Sequence, residues 1–344
     1  MAGRAVNNTG AIMARIQKGW QPKRYLTNMS MAFFAADSDH VAHKIFPICP
    51  VTFSTGYYYI FEKGDLTRDN VQRKPEFGKV TPAKFGHTED TYKCLVDQII
   101  VGIDQINAQN YLRSNVPASI DPRRAKVRFV TEQQLLHLDI EFAEHFFKTG
   151  VWANEFTGID EGTPGASQFL KFSDANFDPV NFFDARKREI KLAGRRVPNK
   201  LSLGYDSYIA LKNHPDILER VKYTGSTANP AIVTKNVLAQ ILGFDEVQVL
   251  EATYNAAEEG QPDDMHFICE ADGALMTYTT NSPQLDEPSA GYIFTWDMLG
   301  NGNYMATDQF EGEPGIHSEF VEGLMSWDMK KTCDELACYM SKCV

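Results

Sequence analysis

The clearest ordering of apolar and polar positions runs from Gly194 to Asn255. Lys200 to Leu203 is a short apolar run that predicts a buried strand. Asp206 is placed as an N-cap ahead of Tyr208, Ile209 and Leu211. Pro215 opens a second helix, with Ile217, Leu218 and Val221 on one face. Thr234 can cap a third. There Val237/Ile241 and Leu238/Leu242 form a stripe, and Gly243 suits the left-handed stop. Val247 to Leu250 reads as the next strand, and Tyr254-Asn255 closes an α/β layer.

Outside this unit the pattern is uneven. Residues 1 to about 50 show no sustained period, and Arg4, Arg15, Lys18, Lys23 and Arg24 all precede the first acid, Asp37. That describes either a solvated tail or an arm that orders against an acidic neighbour. Asp37 to His40 reads as a turn rather than a metal loop. Tyr57 to Phe61 is strongly strand-forming. Beyond it, Lys63-Gly64-Asp65 turns the chain, and Arg68, Asp69, Arg73, Lys74, Glu76, Lys79 and Lys84 load it with charge. Such a segment cannot build its own core. It is a surface hairpin or a two-stranded extension lying on another copy.

Between Tyr92 and Val130 strand and helix stay open, with a bend at Asp121-Pro122. Thr131 and Gln134 form a candidate capping box. After it, Leu135, Leu138, Phe142 and Phe146 make one stripe, and Leu136, Ile140, Ala143 and Phe147 a second, so this helix is mostly buried until about Gly150. His137 and His145 lie on it without an evident partner. Trp152 to Asn176 reads as loop. Asp178 caps a helix to Ala193, with Phe182, Phe183, Ile190 and Leu192 as its apolar contacts and Asp184, Arg186, Lys187, Arg188, Glu189 and Lys191 as its solvated face. Strands follow at Phe267-Ile268, Ala274–Tyr278 and Ser289–Trp296. In the tail, Met329, Cys333, Leu336, Met340 and Cys343 have helical spacing, with Trp327–Lys331 open to strand.

Composition sharpens the picture modestly. The 344 residues are 43% hydrophobic and 23% charged, ordinary for a globular chain long enough to bury a large core. No window is apolar enough for a membrane span, and no secretory h-region follows Met1. A net charge of −11 argues against general affinity for nucleic-acid phosphates. Cysteines 49, 94, 269, 333, 338 and 343 form no CxxC pair, which favours reduced thiols over a disulfide or metal near the C-terminus. Phosphate-loop, nucleophile-elbow and HExxH motifs are absent, and Gly300-Asn301-Gly302 lacks the third glycine of a dinucleotide loop. No catalytic, cofactor-binding or metal-binding residue is assigned.

Several segments together resemble the major capsid proteins of tailed bacteriophages. They are Pro198–Gly204, Leu211–Ile217, Arg220–Thr224, Val233-Thr234, Leu238–Gly243 and Glu251–Asn255, with Phe46–Val51, Thr91–Cys94 and the Gly291–Trp296 strand outside the central unit. Lys63-Gly64-Asp65, Arg68-Asp69, Arg73, Pro75 and Gly78 keep the family's order in the extended loop, while Glu76-Phe77 intrudes where relatives turn more tightly. The resemblance implies an α+β Hong Kong phage-type capsid fold. It would comprise an N-terminal arm (1–53), an extended β-hairpin loop (54–92), a peripheral domain with a long spine helix (93–198 and 291–344) and an axial domain (199–290).

It further implies a structural subunit, not an enzyme, that self-assembles into pentamers and hexamers of an icosahedral head around double-stranded DNA. Expected subunit contacts are Tyr57, Tyr59, Arg68, Asp69, Arg73 and Lys74 in the loop and Arg15, Lys18 and Arg24 in the arm. No cofactor is expected. Expected partners are other copies, a separate scaffolding protein, a portal protein, a possible decoration protein and weakly held DNA, with assembly in the host cytoplasm and residence in the virion. A nanocompartment shell of encapsulin type, or an α/β enzyme with an unrecognised site, are the alternatives.

Overall fold

The computed structural model describes residues 23–36, 39–60, 69, 71–74, 76–80, 82, 88–104, 122–224, 233–258, 260–284, 287–298, 305–312 and 318–344. In chain order the first elements are α1 (Arg24–Ala36), α2 (Ala42–Ile45), β1 (Ile48–Val51), β2 (Thr55–Ile60), β3 (Thr88–Lys93), β4 (Leu95–Asp104) and α3 (Pro122–His145). They are followed by β5 (Glu155–Ile159), β6 (Gln168–Leu170), α4 (Pro179–Gly194), β7 (Lys200–Gly204), α5 (Tyr205–Asn213), α6 (Pro215–Thr224), α7 (Lys235–Leu242) and β8 (Glu246–Leu250). The chain ends with β9 (Thr253–Asn255), β10 (Met265–Phe267), β11 (Ala274–Thr277), β12 (Gly291–Trp296), β13 (Met305–Glu311), β14 (Ser318–Lys331) and β15 (Ala337–Ser341).

Two sheets organise the molecule. One is built on β14, which pairs antiparallel with β4 over Ser318–Trp327, with β13 over Glu319–Met325 and with β12 over Trp327–Lys331. Strand β12 in turn pairs in parallel with β1. The other runs β6-β5-β15-β11-β7-β8, with β11 antiparallel to both of its neighbours. The 199–290 stretch therefore shares its sheet with β5, β6 and β15, so the sheet reaches beyond that segment on both sides in sequence.

The central unit forms as its residues dictate. Asn199 joins three strands: its side chain donates to Thr279 O and accepts from Thr279 N–H, both at 2.9 Å, while its carbonyl accepts from Asp245 N–H at 2.9 Å. Gly204, not Asp206, precedes α5 directly. The amides of Asp206 and Ser207 donate to Ala271 O, so a distant carbonyl satisfies donors that a side-chain cap would otherwise take. The buried His214 accepts from Asp216 N–H through Nδ1 at 3.3 Å at the start of α6, and its Nε2 lies 3.1 Å from Asp174 O. Thr234 caps α7 and Gly243 ends it at φ 68°.

Several expectations are corrected. The helix α3 begins at Pro122, so Thr131 is interior, and its hydroxyl donates to Val127 O at 2.9 Å instead of capping. Its first stripe is buried, and His137 and His145 do have carboxylate neighbours, Asp97 at 3.7 Å and Glu141 at 3.2 Å. Residues 24–36 form a helix that packs on its own chain: Leu26 joins Ile103, Val127, Val130 and Val321. Buried Thr27 and Ser30 bond Thr307, which is why the apolar period was not visible.

Trp152–Asn176 contains β5 and β6, held by parallel pairing with β15 and with each other. The tail is strand through Lys331, a single 3₁₀ turn at Asp334–Leu336, then strand again, not helix. Leu192 is exposed rather than a core contact, whereas Lys187 is buried. The Lys187 ammonium donates to the Leu242 and Gly243 carbonyls at the C-terminal end of α7, where the helix dipole favours a cation, and it sits 3.9 Å from the Phe244 ring centroid.

The long helix α3 rests on β14 at Gly323. A Cβ there would collide with Val130 Cγ1 and come 3.1 Å from Gln134 Nε2. Gly323→Ala should therefore force helix and strand apart and cost about 1–3 kcal/mol, read as a lower urea midpoint.

Asp328, near the end of β14, accepts from Lys93 N–H at 2.8 Å and ties that strand to β3. Burial raises its carboxyl above the ordinary 3.8, against the lowering effect of the Lys93 amide and Lys330. A raised carboxyl binds protons better folded than unfolded, so its contribution is full below the ordinary value and falls as pH rises through the folded one. Asp328→Asn keeps an acceptor but does not ionise. Its stability relative to the parent should improve from acidic pH to neutrality, as urea titrations at several pH values would show.

Candidate assembly surfaces

Strands β2 and β3 pair from Thr55↔Lys93 to Ile60↔Thr88 and form the stem of the charged hairpin. Alternation sets its two faces. Tyr58 and Tyr92 point inward onto Phe294, with ring centroids 5.3 and 4.9 Å away, and join Cys49, Val51, Trp296 and Leu324. Tyr58 also donates to Asp90 at 3.1 Å, and burial together with that carboxylate pushes its phenol well up. A side chain at Gly56 would meet the Tyr92 ring at 2.5–2.9 Å, so the glycine admits the stacked tyrosine. The stem is thus fixed to its own core.

The outward residues are different. Tyr57 is 68% exposed and Tyr59 half-buried. Further along, Asp69 accepts from Val71 N–H at 3.0 Å, and Arg73 and Lys74 are exposed. Glu76-Phe77 makes a turn in which Phe77 adopts φ 62° and is 100% exposed. Left-handed backbone in a large aromatic is uncommon and carries strain. Arg68 lies outside the described residues, as do Lys63-Gly64-Asp65 and Lys84. So do Arg15 and Lys18 of the arm, while Arg24 is exposed on α1. Among the described residues, the hairpin stem packs with Phe294 and α1 packs with Val127 and Val130, in separate clusters.

A second surface was not foreseen. Tyr205 and Phe267 stack at 5.3 Å, partly exposed, beside an 880 Å³ groove that also takes in Asp39, Arg128, Glu132 and Glu251. It unites α3 with the 199–290 stretch, so no local pattern could reveal it. His40 contributes here, with Nδ1 2.9 Å from the buried Asp139.

All six cysteines are free and buried. Burial pushes the thiols up, Cys49 to about 11 and Cys94, Cys333 and Cys338 to about 12, so none is poised as a thiolate. Among the described residues no group of His, Cys, Asp and Glu could hold a metal, and no helix is long and apolar enough to cross a membrane.

No protein-family model matches the chain. A major capsid protein of Burkholderia phage BcepMu is 32% identical over 101 residues, a match that takes in 29% of this chain and 31% of that protein. The crystal structure of a phage-related protein from Bordetella bronchiseptica superposes with a TM-score of 0.71 at 18% identity, covering 94% of this chain and 97% of that one. A virus-like particle protein from Pyrococcus furiosus reaches 0.50 at 9% identity, covering 92% and 98%. The chain is thus similar in sequence to a phage major capsid protein and has the mixed α+β Hong Kong phage-type capsid fold.

Proposed function

We propose that this chain is the major capsid subunit of a tailed-phage head, assembling into pentamers and hexamers of an icosahedral shell around double-stranded DNA. The observation that carries the reading is the hairpin: a stem held by Tyr58 and Tyr92, with Arg73, Lys74 and Phe77 exposed beyond it and Phe77 at φ 62°. On this reading the exposed Phe77 ring and the charges beside it lie against a partner surface. The capsid fold and the BcepMu likeness support another copy as that partner.

In this reading residues 1–53 act as arm, 54–92 as extended loop, 93–198 with 291–344 as peripheral domain and 199–290 as axial domain. Tyr57, Tyr59, Arg68, Asp69, Arg73 and Lys74 contact the neighbour through the loop, and Arg15, Lys18 and Arg24 through the arm. A standard interface buries on the order of 1,600 Å², and a chain with two extensions exceeds it. Closed symmetry then sums many weak contacts into a stable shell. A separate scaffolding protein, a portal protein and, where one binds, a decoration protein complete the head, assembled in the host cytoplasm. The net charge of −11 keeps contact with packaged DNA weak. A nanocompartment shell is the second reading, favoured by the Pyrococcus particle protein. The higher TM-score to a phage-related protein and the sequence match to a phage capsid protein place it behind.

The test is sedimentation with negative-stain imaging of the purified chain, alone and co-expressed with a scaffolding partner. Closed particles, or rings of five or six copies, are expected; a chain that stays monomeric in both settings would sink the reading. Arg73→Glu with Lys74→Glu should abolish particles while leaving the circular dichroism and melting temperature of the chain unchanged, because both side chains are exposed. A co-purifying enzyme in place of DNA would favour the nanocompartment.

A further inference from the structure

The hairpin stem meets the body of the molecule over a carboxyl group. Asp328 on β14 stands opposite Phe294 on β12, and residues directly opposite one another in an antiparallel pair share a face of the sheet. Tyr58 and Tyr92 cover that face by packing on Phe294. Asp328 therefore lies beneath the stem, with a side chain only 20% exposed. Its bond to the stem comes from the N–H of Lys93, the last residue of β3, at 2.8 Å.

The charged and titratable groups around Asp328 come from each strand packed against it. Strand β3 brings Asp90, and β2 brings Tyr58, whose hydroxyl is given to Asp90 at 3.1 Å. Cys94 follows β3, and Cys49 on β1 lies in the same apolar cluster. The cation is Lys330 on β14 itself, with Nζ 3.5 Å from Asp328 and a side chain 35% exposed. Burial keeps the thiols and the phenol protonated, so two carboxylates share this seam with one ammonium.

Ionising Asp328 under the docked stem costs twice. It puts a charge where water has little access, and it sets that charge against Asp90. The Lys93 amide and Lys330 offset this only in part. Lifting the stem removes both costs: water reaches Asp328, and Asp90 leaves with β3. What opposes the lift is the packing of Tyr58 and Tyr92 on Phe294 and the single Lys93 bond.

We propose that Asp328 is a proton-operated latch for the β2–β3 stem. Protonated, it lets the stem stay docked on Phe294; ionised, it favours a state in which the stem is lifted and the carboxylate hydrated. The docked state binds the proton more tightly than the lifted one. Docking is therefore strongest below the ordinary carboxyl range and weakens as pH rises through the raised, docked value. The latch belongs to the single chain and does not rest on the shell reading.

Hydrogen–deuterium exchange of the full-length chain, in the assembly state in which it purifies, tests this from mildly acidic pH to neutrality. Rates are corrected for the intrinsic pH dependence of exchange. A two-stranded hairpin without support is marginal, so its ladder amides report the lift, and Lys93 N–H reports it directly. These amides should exchange severalfold faster at neutrality than in acid, while β7 and β11 stay level. Asp328→Asn should hold the stem slow and flatten the profile. Lys330→Met, which keeps the acid and removes the cation, should move the midpoint to higher pH. A flat profile in the parent, a profile that survives Asp328→Asn, or a midpoint indifferent to Lys330→Met overturns the latch. Should Asp328→Asn loosen β7 and β11 as well, the Lys330→Met midpoint decides. Particle formation is scored separately, so failure here leaves the assembly reading standing, and the reverse.

Discussion

The close approach of α3 to β14 is the contact on which the rest of the fold depends. A glycine at position 323 lets Val130 and Gln134 come down onto the strand, and this sets the height of the helix over its whole length. From there the consequences spread in both directions. Towards the N-terminus, Val127 and Val130 trap Leu26 and so fasten α1. Towards the C-terminus, Leu135, Leu138 and Phe142 continue into the large core shared with the second sheet. Strand β14 then passes through Thr332, whose hydroxyl bonds Ser289 O at 2.7 Å, into β15 at the centre of that sheet. One continuous segment thus ties the two sheets together, and a shift of α3 would be felt in both.

How much of this was legible in the sequence depended on whether the controlling partner was near or far. The unit from Lys200 to Leu250 was read almost element by element, because Pro215, Thr234 and Gly243 each act within their own turn. The tail failed for the opposite reason. Strand β15 is buried on every residue, so its apolar run carries no period of two, and the helical spacing of Met329, Cys333, Leu336 and Met340 is coincidence. Strands β5 and β6 were missed because their Gly-, Ser- and Thr-rich surroundings give no strand signal. Strand β5 exists by pairing with β15, more than 150 residues later in the chain, and β6 by pairing with β5. Thr131 shows a local motif overruled: a capping sequence inside a longer helix simply turns its hydroxyl to Val127.

The candidate surfaces divide along the same line. That Tyr57 and Tyr58 face opposite ways follows from strand alternation. The Tyr205–Phe267 groove has no such local origin, since it is assembled from elements far apart in sequence. The burial of Gln134 likewise rests on distant contacts, and the sequence disguises it as the second half of a capping box.

Charge gives the surfaces their common logic. If the chain assembles as proposed, a net charge of −11 makes like-charged faces repel between copies. Residues 1–24 carry five cations and no acid, whereas residues 54–92 carry six cations and six acids, and acids such as Asp39, Glu132 and Glu251 lie on the body. In the proposed shell a basic arm meeting an acidic body would attract between copies while the bodies repel, and the hairpin, with no net charge, would contribute local pairs. Each contact is exposed and therefore weak, at roughly 1 kcal/mol or less for a surface ion pair. Weak contacts form and break quickly enough for misplaced copies to leave. A closed shell closes every such contact at once and becomes stable as a whole. The strained Phe77 turn fits that arrangement, because its apolar ring gains only when a neighbour covers it.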